Sequence, residues 1–288
     1  MFDSSYTENK DIGNLNAQSF EVYSIRRSFG MEEKTRLTLT VQAIIICLFC
    51  IAVLAGAITT MQDVMPASST VGGRELPIYC VDTKEKKVAL SFDAAWGNQD
   101  TEKILEILKK HNLKVTFFMT GGWVKEYPDD VKAIAAAGHD LGNHSENHKE
   151  MSKLTKAEIK QELMEVHNRV KELTGAEMNL FRPPYGDYNN QLIKTAASCG
   201  YYTIQWSVDS LDWKNYGVQD IVERVLNHKD LQPGAIILMH NGAKYTAQAL
   251  EAVITGLQEK GYEIVPISEL IYKEGYSMDE SGKQIKNG

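Results

Sequence analysis

The chain has 288 residues, 43% of them hydrophobic and 24% charged, a composition that excludes a disordered or collagenous chain. A formal net charge of -7 speaks against a nucleic-acid partner held by bulk electrostatics. Four cysteines are too few for a disulfide scaffold, and the length allows one large domain or two small ones.

From the N-terminus, the first feature is a gap in charge. No Asp, Glu, Lys or Arg occurs from Leu37 to Gln62. The apolar centre, Ile44 to Leu54, belongs to a run long enough to cross a bilayer core, which needs about 20 residues. A buried helix of a soluble protein would show a polar face over this length. Arg26, Arg27, Lys34 and Arg36 precede the run, and only Arg74 lies within a comparable distance after it. The positive-inside rule therefore predicts a cytoplasmic segment at 1–37, one transmembrane helix at 38–62 and a linker at 63–79. The remainder of the chain is then an extracytoplasmic domain on a single-pass membrane protein. Ala55-Gly56-Ala57 also reads as a signal-peptide cleavage site. The 36-residue lead-in favours an uncleaved anchor, although a start at Met31 would shorten it. Cys47 and Cys50 sit in the apolar run as packing. A disulfide between Cys80 and Cys199 is open, since bridging depends on geometry rather than spacing.

Beyond the linker, strand-like and helix-like segments alternate. Val88-Ala89-Leu90-Ser91-Phe92 is a short apolar strand ending at Asp93. Ile104, Leu105, Ile107 and Leu108 recur at helical spacing, and Val115 to Met119 is β-branched and aromatic. Gly138 to Gly142 leads into the next strand, which ends near His144. The clearest helix runs from Thr155 to Leu173, with a Thr155/Glu158 capping box and Gly175 as its stop. Leu180-Phe181, Tyr202 to Trp206 and Ala235 to Met239 read as strands. A helix through Ala247 and Leu257 and a strand at Glu263 to Val265 close the domain. The polar stretch Ser277 to Gly288 reads as a disordered tail. This alternation predicts a parallel sheet, open or closed into a barrel. Such folds place their chemistry after strand C-termini, which is where Asp93, His144, Arg182, Asp209 and His240 fall.

Several of these residues lie in patterns with chemical capacity. His144 and His148 are four apart, a spacing that lets two imidazoles converge on zinc or a neighbouring first-row cation. Arg182-Pro183-Pro184-Tyr185-Gly186 is a stiff turn able to present an Arg and aim a backbone N–H. Asp209-Ser210-Leu211-Asp212-Trp213 offers two carboxylates and an aromatic, which could orient a histidine or merely start a helix. His240 by itself would be an ordinary structural histidine.

Taken in order, Ser91-Phe92-Asp93, His144-x-x-x-His148, Arg182 to Gly186, Asp209-x-x-Asp212-Trp213 and Leu238-x-His240 resemble the five motifs of the polysaccharide deacetylase family, the NodB-homology domain or carbohydrate esterase family four. The resemblance covers residues 80–272, leaves 273–288 as a tail, and implies a distorted (β/α) barrel of about seven strands. It implies a metal-dependent hydrolase removing acetyl groups from polysaccharide, with His144 and His148 as ligands of a divalent metal (zinc, with cobalt or nickel as alternatives). Asp93 would be the general base, held by Arg182. The backbone N–H of Tyr185 would stabilise the oxyanion, and His240 would be the general acid with Asp209 as its charge partner. Trp213 and Leu238 would line the acetyl pocket. The wider Ser91 to Gly97 pattern resembles a sporulation-associated PdaB-like subgroup, pointing to peptidoglycan or spore cortex, with Trp96 added to the substrate-binding side.

One position departs from the family pattern. The usual second aspartate of the first motif, a metal ligand, is Ala94 here. Asp93, solvent, Asn98, Asp100 or Glu146 would have to complete the metal shell. Trp96 either fills the space left or packs in the core. Two functional classes are compatible with this pattern: an anchored wall-glycan deacetylase, or a glycan-binding pseudoenzyme that lost efficient metal binding. The intact Asp93, Arg182, Asp209 and His240 favour the enzyme.

Overall fold

Lys87–Ala94 organises the molecule, because everything from Val88 onward in this strand is buried. The computed structural model describes residues 44–46 and 70–288. The chain divides into units at 1–63 and 64–288, and all elements below belong to the second. The expected span at 38–62 lies outside the described residues except for Ile44–Ile46. Among the described residues no helix is long and apolar enough to cross a membrane.

A short hairpin of β1 (Thr70–Val71) and β2 (Arg74–Glu75) leads to β3 (Cys80–Val81) and then to β4, the Lys87–Ala94 strand. Helix α1 (Thr101–Lys110) connects β4 to β5 (Thr116–Met119). Next come α2 (Gly121–Glu126), α3 (Pro128–Ala136) and β6 (Asp140–Asn143). Helix α4 (Lys156–Thr174) starts at the anticipated Thr155/Glu158 capping box and stops at Gly175, whose φ is 76°. The chain continues through β7 (Leu180–Phe181), α5 (Asn190–Ser198), β8 (Tyr202–Thr203), β9 (Val208–Asp209) and α6 (Val218–Leu226). It closes with β10 (Ile236–Asn241), α7 (Thr246–Glu259), β11 (Glu263–Val265) and α8 (Ile267–Leu270).

The main sheet is parallel, in the order β8-β7-β6-β5-β4-β10-β9, with β11 pairing the start of β4. The expected barrel is thus an open half-barrel whose end strands, β8 and β9, do not pair with each other. The segment predicted as one strand, Tyr202 to Trp206, stops early because Ile204 bridges to Ile78 and the Gln205 N–H donates to the Ile78 carbonyl at 2.7 Å. Period-2 alternation splits β4 between two apolar clusters. Val88, Leu90, Phe92 and Ala94 join the cluster shared with α1, α4 and α7, while Ala89 joins Phe118, Ile204 and Ile236 in the other. Ser91 and Asp93 lie on the alternate positions with Ala89, and both are buried.

Two expectations need correction. The C-terminal stretch is not a disordered tail. It forms β12 (Tyr276–Met278) and β13 (Lys283–Lys286), antiparallel to each other, with β13 parallel to β3. Polar composition masked this, because the buried Gln284 amide is satisfied by the backbone of Tyr272 through two bonds of 2.9 Å. Asp279 accepts from the Ser281 and Lys283 N–H groups and closes the turn. The possible Cys80–Cys199 disulfide is not formed; both are free thiols, and burial pushes Cys80 up to about 11.

The paired strands set the floor of the site. His240, Asp93, Phe118 and Gly142 occupy one register level across β10, β4, β5 and β6. A Cβ on Gly142 would come within 2.4 Å of the Phe118 ring, and that ring lies 4.2 Å from the Arg182 guanidinium carbon. Gly142→Ala is expected to lower stability by roughly 1–3 kcal/mol through overpacking. The urea midpoint should fall with the m-value unchanged.

Candidate active site

Asp93 is a charge within the buried part of β4, and burial alone would push its carboxyl up. The opposing influence of Arg182, with His144 and His240, outweighs burial and holds it below the usual carboxylate range. Arg182 lies just after β7 and is wholly buried. Its Nη1 donates to Asp93 Oδ1 at 2.7 Å. Its Nη2 donates to Ser91 Oγ at 2.9 Å and to the Gln205 carbonyl at 3.2 Å. Ser91 Oγ donates in turn to the Ile237 carbonyl at 2.7 Å. Neither Ser91 nor Gln205 was singled out for this role by sequence; Ser91 stood inside the first motif, whereas Gln205 carries no sequence signal because its backbone makes the contact.

On the other side of Asp93 lie the two imidazoles. His144 Nδ1 donates to the Arg182 carbonyl at 2.7 Å, which fixes the tautomer and leaves Nε2 as a lone pair 3.6 Å from Asp93 Oδ2. Burial lowers the pKa of His144, and burial with the neighbouring His144 pushes His148 down to about 4, so both are neutral at pH 7. Their rings meet edge to face at 4.9 Å, and His148 meets the exposed Tyr185 ring at 4.5 Å. The connecting loop is strained, with φ of 67° at Ser145 and 51° at His148. Helix α4 holds it there. Arg169 grips Glu146 with bonds of 2.8 and 2.9 Å, and the buried Glu162 accepts from both the N–H and the amide of Asn147 at 2.8 Å. Neither clamp carries a signal in the sequence pattern.

Neutral imidazoles with free lone pairs suit a metal, but the remaining donors do not assemble. Ala94 is wholly buried in the apolar cluster and offers no donor. Glu146 is taken by Arg169, Asn98 donates to Asp130 at 2.7 Å, and Asp100 accepts the Gly242 N–H at 2.8 Å. Among the described residues no group of three or more His, Cys, Asp or Glu is placed to hold a metal ion. The residues present therefore do not fit the three-ligand site that the resemblance implies.

His240 is paired to Asp93 in register on the neighbouring strand. Its expected charge partner, Asp209, raises its pKa through charge but makes no hydrogen bond to it among those of the described residues; Asp209 instead caps the Leu211 N–H at 2.9 Å. The partner is Asp212. Leu211, at a φ of 49°, turns the chain, and the wholly buried Asp212 accepts from His240 Nδ1 and from its backbone N–H, each at 2.7 Å. Thr246 donates to the same carboxylate at 2.6 Å and the Trp213 N–H at 2.9 Å. Burial lowers the His240 pKa, but the hydrogen bond and charge of Asp212 outweigh it and leave the imidazole above its ordinary value. Leu238 is buried two residues earlier on β10, Trp213 is half-exposed beside Asp212, and Trp96 stacks on the His240 ring at 5.5 Å and 24°. Trp96 is therefore not a core residue.

Asp93 is thus held ionised and His240 held ready to carry a proton on Nε2, on adjacent strands. Asp212→Asn should lower the His240 pKa, as followed by the pH titration of its imidazole Cε1–H resonance. An unchanged His240 titration would show that Asp212 does not set its proton affinity.

Comparison with known proteins agrees with this geometry. The family model for polysaccharide deacetylase matches residues 81–204. The peptidoglycan-N-acetylmuramic acid deacetylase PdaA of Bacillus subtilis is 37% identical over 200 residues, 68% of this chain and 75% of PdaA. The uncharacterised protein YlxY of the same organism is 39% identical over 195 residues, 68% of this chain but only 60% of YlxY. The crystal structure of BA3943 from Bacillus anthracis, described as a carbohydrate esterase family four pseudoenzyme, superposes with a TM-score of 0.65 at 37% identity, covering 73% of this chain and 70% of that one. A BA3943 mutant with restored enzymatic activity gives the same TM-score of 0.65 at 38% identity, covering 73% and 72%. Its sequence relatives and half-barrel together place this chain in the polysaccharide deacetylase family of hydrolases.

Proposed function

We propose that this chain is a membrane-anchored, extracytoplasmic deacetylase that hydrolyses acetamido groups of an N-acetylated wall glycan, peptidoglycan or spore cortex. One observation carries the reading. A carboxylate kept ionised by Arg182 and an imidazole kept basic by Asp212 face one another from adjacent strands, the opposed tuning that separates a general base from a general acid. Asp93 takes a proton from water as its oxygen attacks the acetamide carbon. Negative charge develops on the carbonyl oxygen, and the backbone N–H of Tyr185, on the turn packed against His148, is the donor assigned to it. His240 then gives its Nε2 proton to the amine as the C–N bond breaks, yielding acetate and a free amino sugar. Leu238 and Trp213 bound the space for the methyl group. PdaA, named for removal of acetyl from peptidoglycan N-acetylmuramic acid, supports the substrate class. The uncharged run from Leu37 to Gln62, with its cationic flank, supports the anchor.

Asp93→Asn is expected to reduce acetate release from peptidoglycan by roughly 10²–10⁴-fold. It also leaves Arg182 without its charge partner, so stability should fall, and far-UV circular dichroism must show a folded variant. Wild-type turnover in folded Asp93→Asn would rule out Asp93 as the base.

A second reading, a glycan-binding pseudoenzyme, is favoured by Ala94 and by the two-imidazole donor set, and BA3943 is a structural relative of that description. Ala94→Asp tests it. A carboxylate at this buried position costs stability unless it is ligated, so the metal-free variant should melt below wild type. Zinc should then raise its Tm and not that of wild type. Zinc stabilising both proteins equally would mean that the wild-type residues already bind the metal as the family does.

A further inference from the structure

Trp96 is a large exposed aromatic that the fold nevertheless holds in place. It follows the end of β4 and is 44% exposed. The backbone at Trp96 and Gly97 is closely packed. Gly242, at a φ of 92°, lies so close that a Cβ there would come within 2.2 Å of the Trp96 carbonyl oxygen. The adjoining Gly97 carbonyl accepts from the buried Trp123 indole N–H at 2.7 Å and from Asn241 at 3.4 Å. The indole then lies nearly parallel to the His240 imidazole, 5.5 Å between centroids and 24° between planes. Trp96 therefore covers one face of the His240 ring while part of its own surface stays open to solvent. A hydrophobic ring held out in water, with its conformational freedom already restricted, is organised to receive something flat and apolar.

Resting on the wall-glycan reading, we propose that the solvent side of the Trp96 indole is a subsite for a second pyranose ring of the glycan. A β-linked N-acetylhexosamine carries its ring substituents equatorially, so its axial C–H groups form an apolar face of about the size of an indole. The electron-rich face of the indole attracts those C–H groups, and the contact removes apolar area from water on both partners. The sugar stacked there is not the one being deacetylated, because the indole lies between it and His240. The subsite consequently rewards chain length: a monosaccharide fills the acetyl pocket, and an oligosaccharide fills both.

The experiment titrates the full-length chain with N-acetylglucosamine and with chito-oligosaccharides of increasing length, following the indole N–H resonances and comparing wild type with Trp96→Ala and Trp96→Phe. Wild type should bind the hexasaccharide much more tightly than the monosaccharide. Trp96→Ala should lose about tenfold in hexasaccharide affinity relative to any change in monosaccharide affinity, and Trp96→Phe should recover most of the loss. Hexasaccharide affinity unchanged in Trp96→Ala would overturn the subsite and leave the deacetylase reading standing. Length-dependent binding through Trp96 without acetate release from any acetylated glycan would support the subsite while removing the enzyme. A wild-type chain that binds no oligosaccharide of any length would overturn the subsite together with the wall-glycan reading.

Discussion

The buried pair of Arg182 and Asp93 is the constraint to which the rest of the site answers. Taking a guanidinium and a carboxylate out of water costs several kcal/mol for each ion, and the cost is offset only by good geometry and further hydrogen bonds. The surrounding residues supply these for the two terminal nitrogens of Arg182, while its buried Nε has no hydrogen-bond partner among the described residues. Ser91 relays Arg182 to the Ile237 carbonyl on β10, Gln205 offers its backbone oxygen, and Phe118 puts a ring face under the guanidinium. Gly142 is small so that Phe118 can lie there. Even the tautomer of His144 depends on this pair, since the carbonyl of Arg182 is what its Nδ1 finds. An Arg carries no acceptor and cannot be deprotonated in this setting, so the network holds Asp93 as an anion across the physiological range.

The second half of the site repeats this logic with opposite sign. Asp212 is as buried as Arg182, collects four donors and leaves the His240 ring with one free nitrogen. In-register pairing of His240 with Asp93 brings the two halves to one level of the sheet. The opposed tuning of Asp93 and His240 is thus a property of strand register as much as of residue type: a slip of one residue would turn either side chain to the other face.

Against that paired tuning stands Ala94. Position 94 is a buried methyl packed in the apolar cluster, and among the described residues no group of three or more His, Cys, Asp or Glu replaces the missing donor. The loop carrying His144 and His148 is nonetheless clamped twice by α4, through Arg169 and Glu162. Strain of the kind seen at Ser145 and His148 is retained only where surrounding contacts impose it. The imidazole pair is therefore a maintained feature, next to an aromatic rim in which Tyr185, Trp213 and Trp96 are all exposed.

Local patterns in the chain were enough to establish the α/β alternation, the Thr155/Glu158-capped helix, the placement of Asp93, His144, Arg182 and His240 at or just past strand ends, and the loss at Ala94. Each of these depends on neighbours within a few residues, where periodicity, capping and residue type are directly visible. What only the tertiary structure decided involves partners far apart in the chain. Asp212, not Asp209, reaches His240 across 28 positions because one left-handed residue turns the chain between the two carboxylates. The sheet stays open between β8 and β9 because Ile204 pairs with Ile78 instead of extending its strand. The polar C-terminus forms a hairpin because β3 offers it an edge. Trp96 lies over His240 because Gly242 lets two backbones meet. Composition and spacing carry no record of which distant backbone will come within reach, and that is where the site acquired its partners.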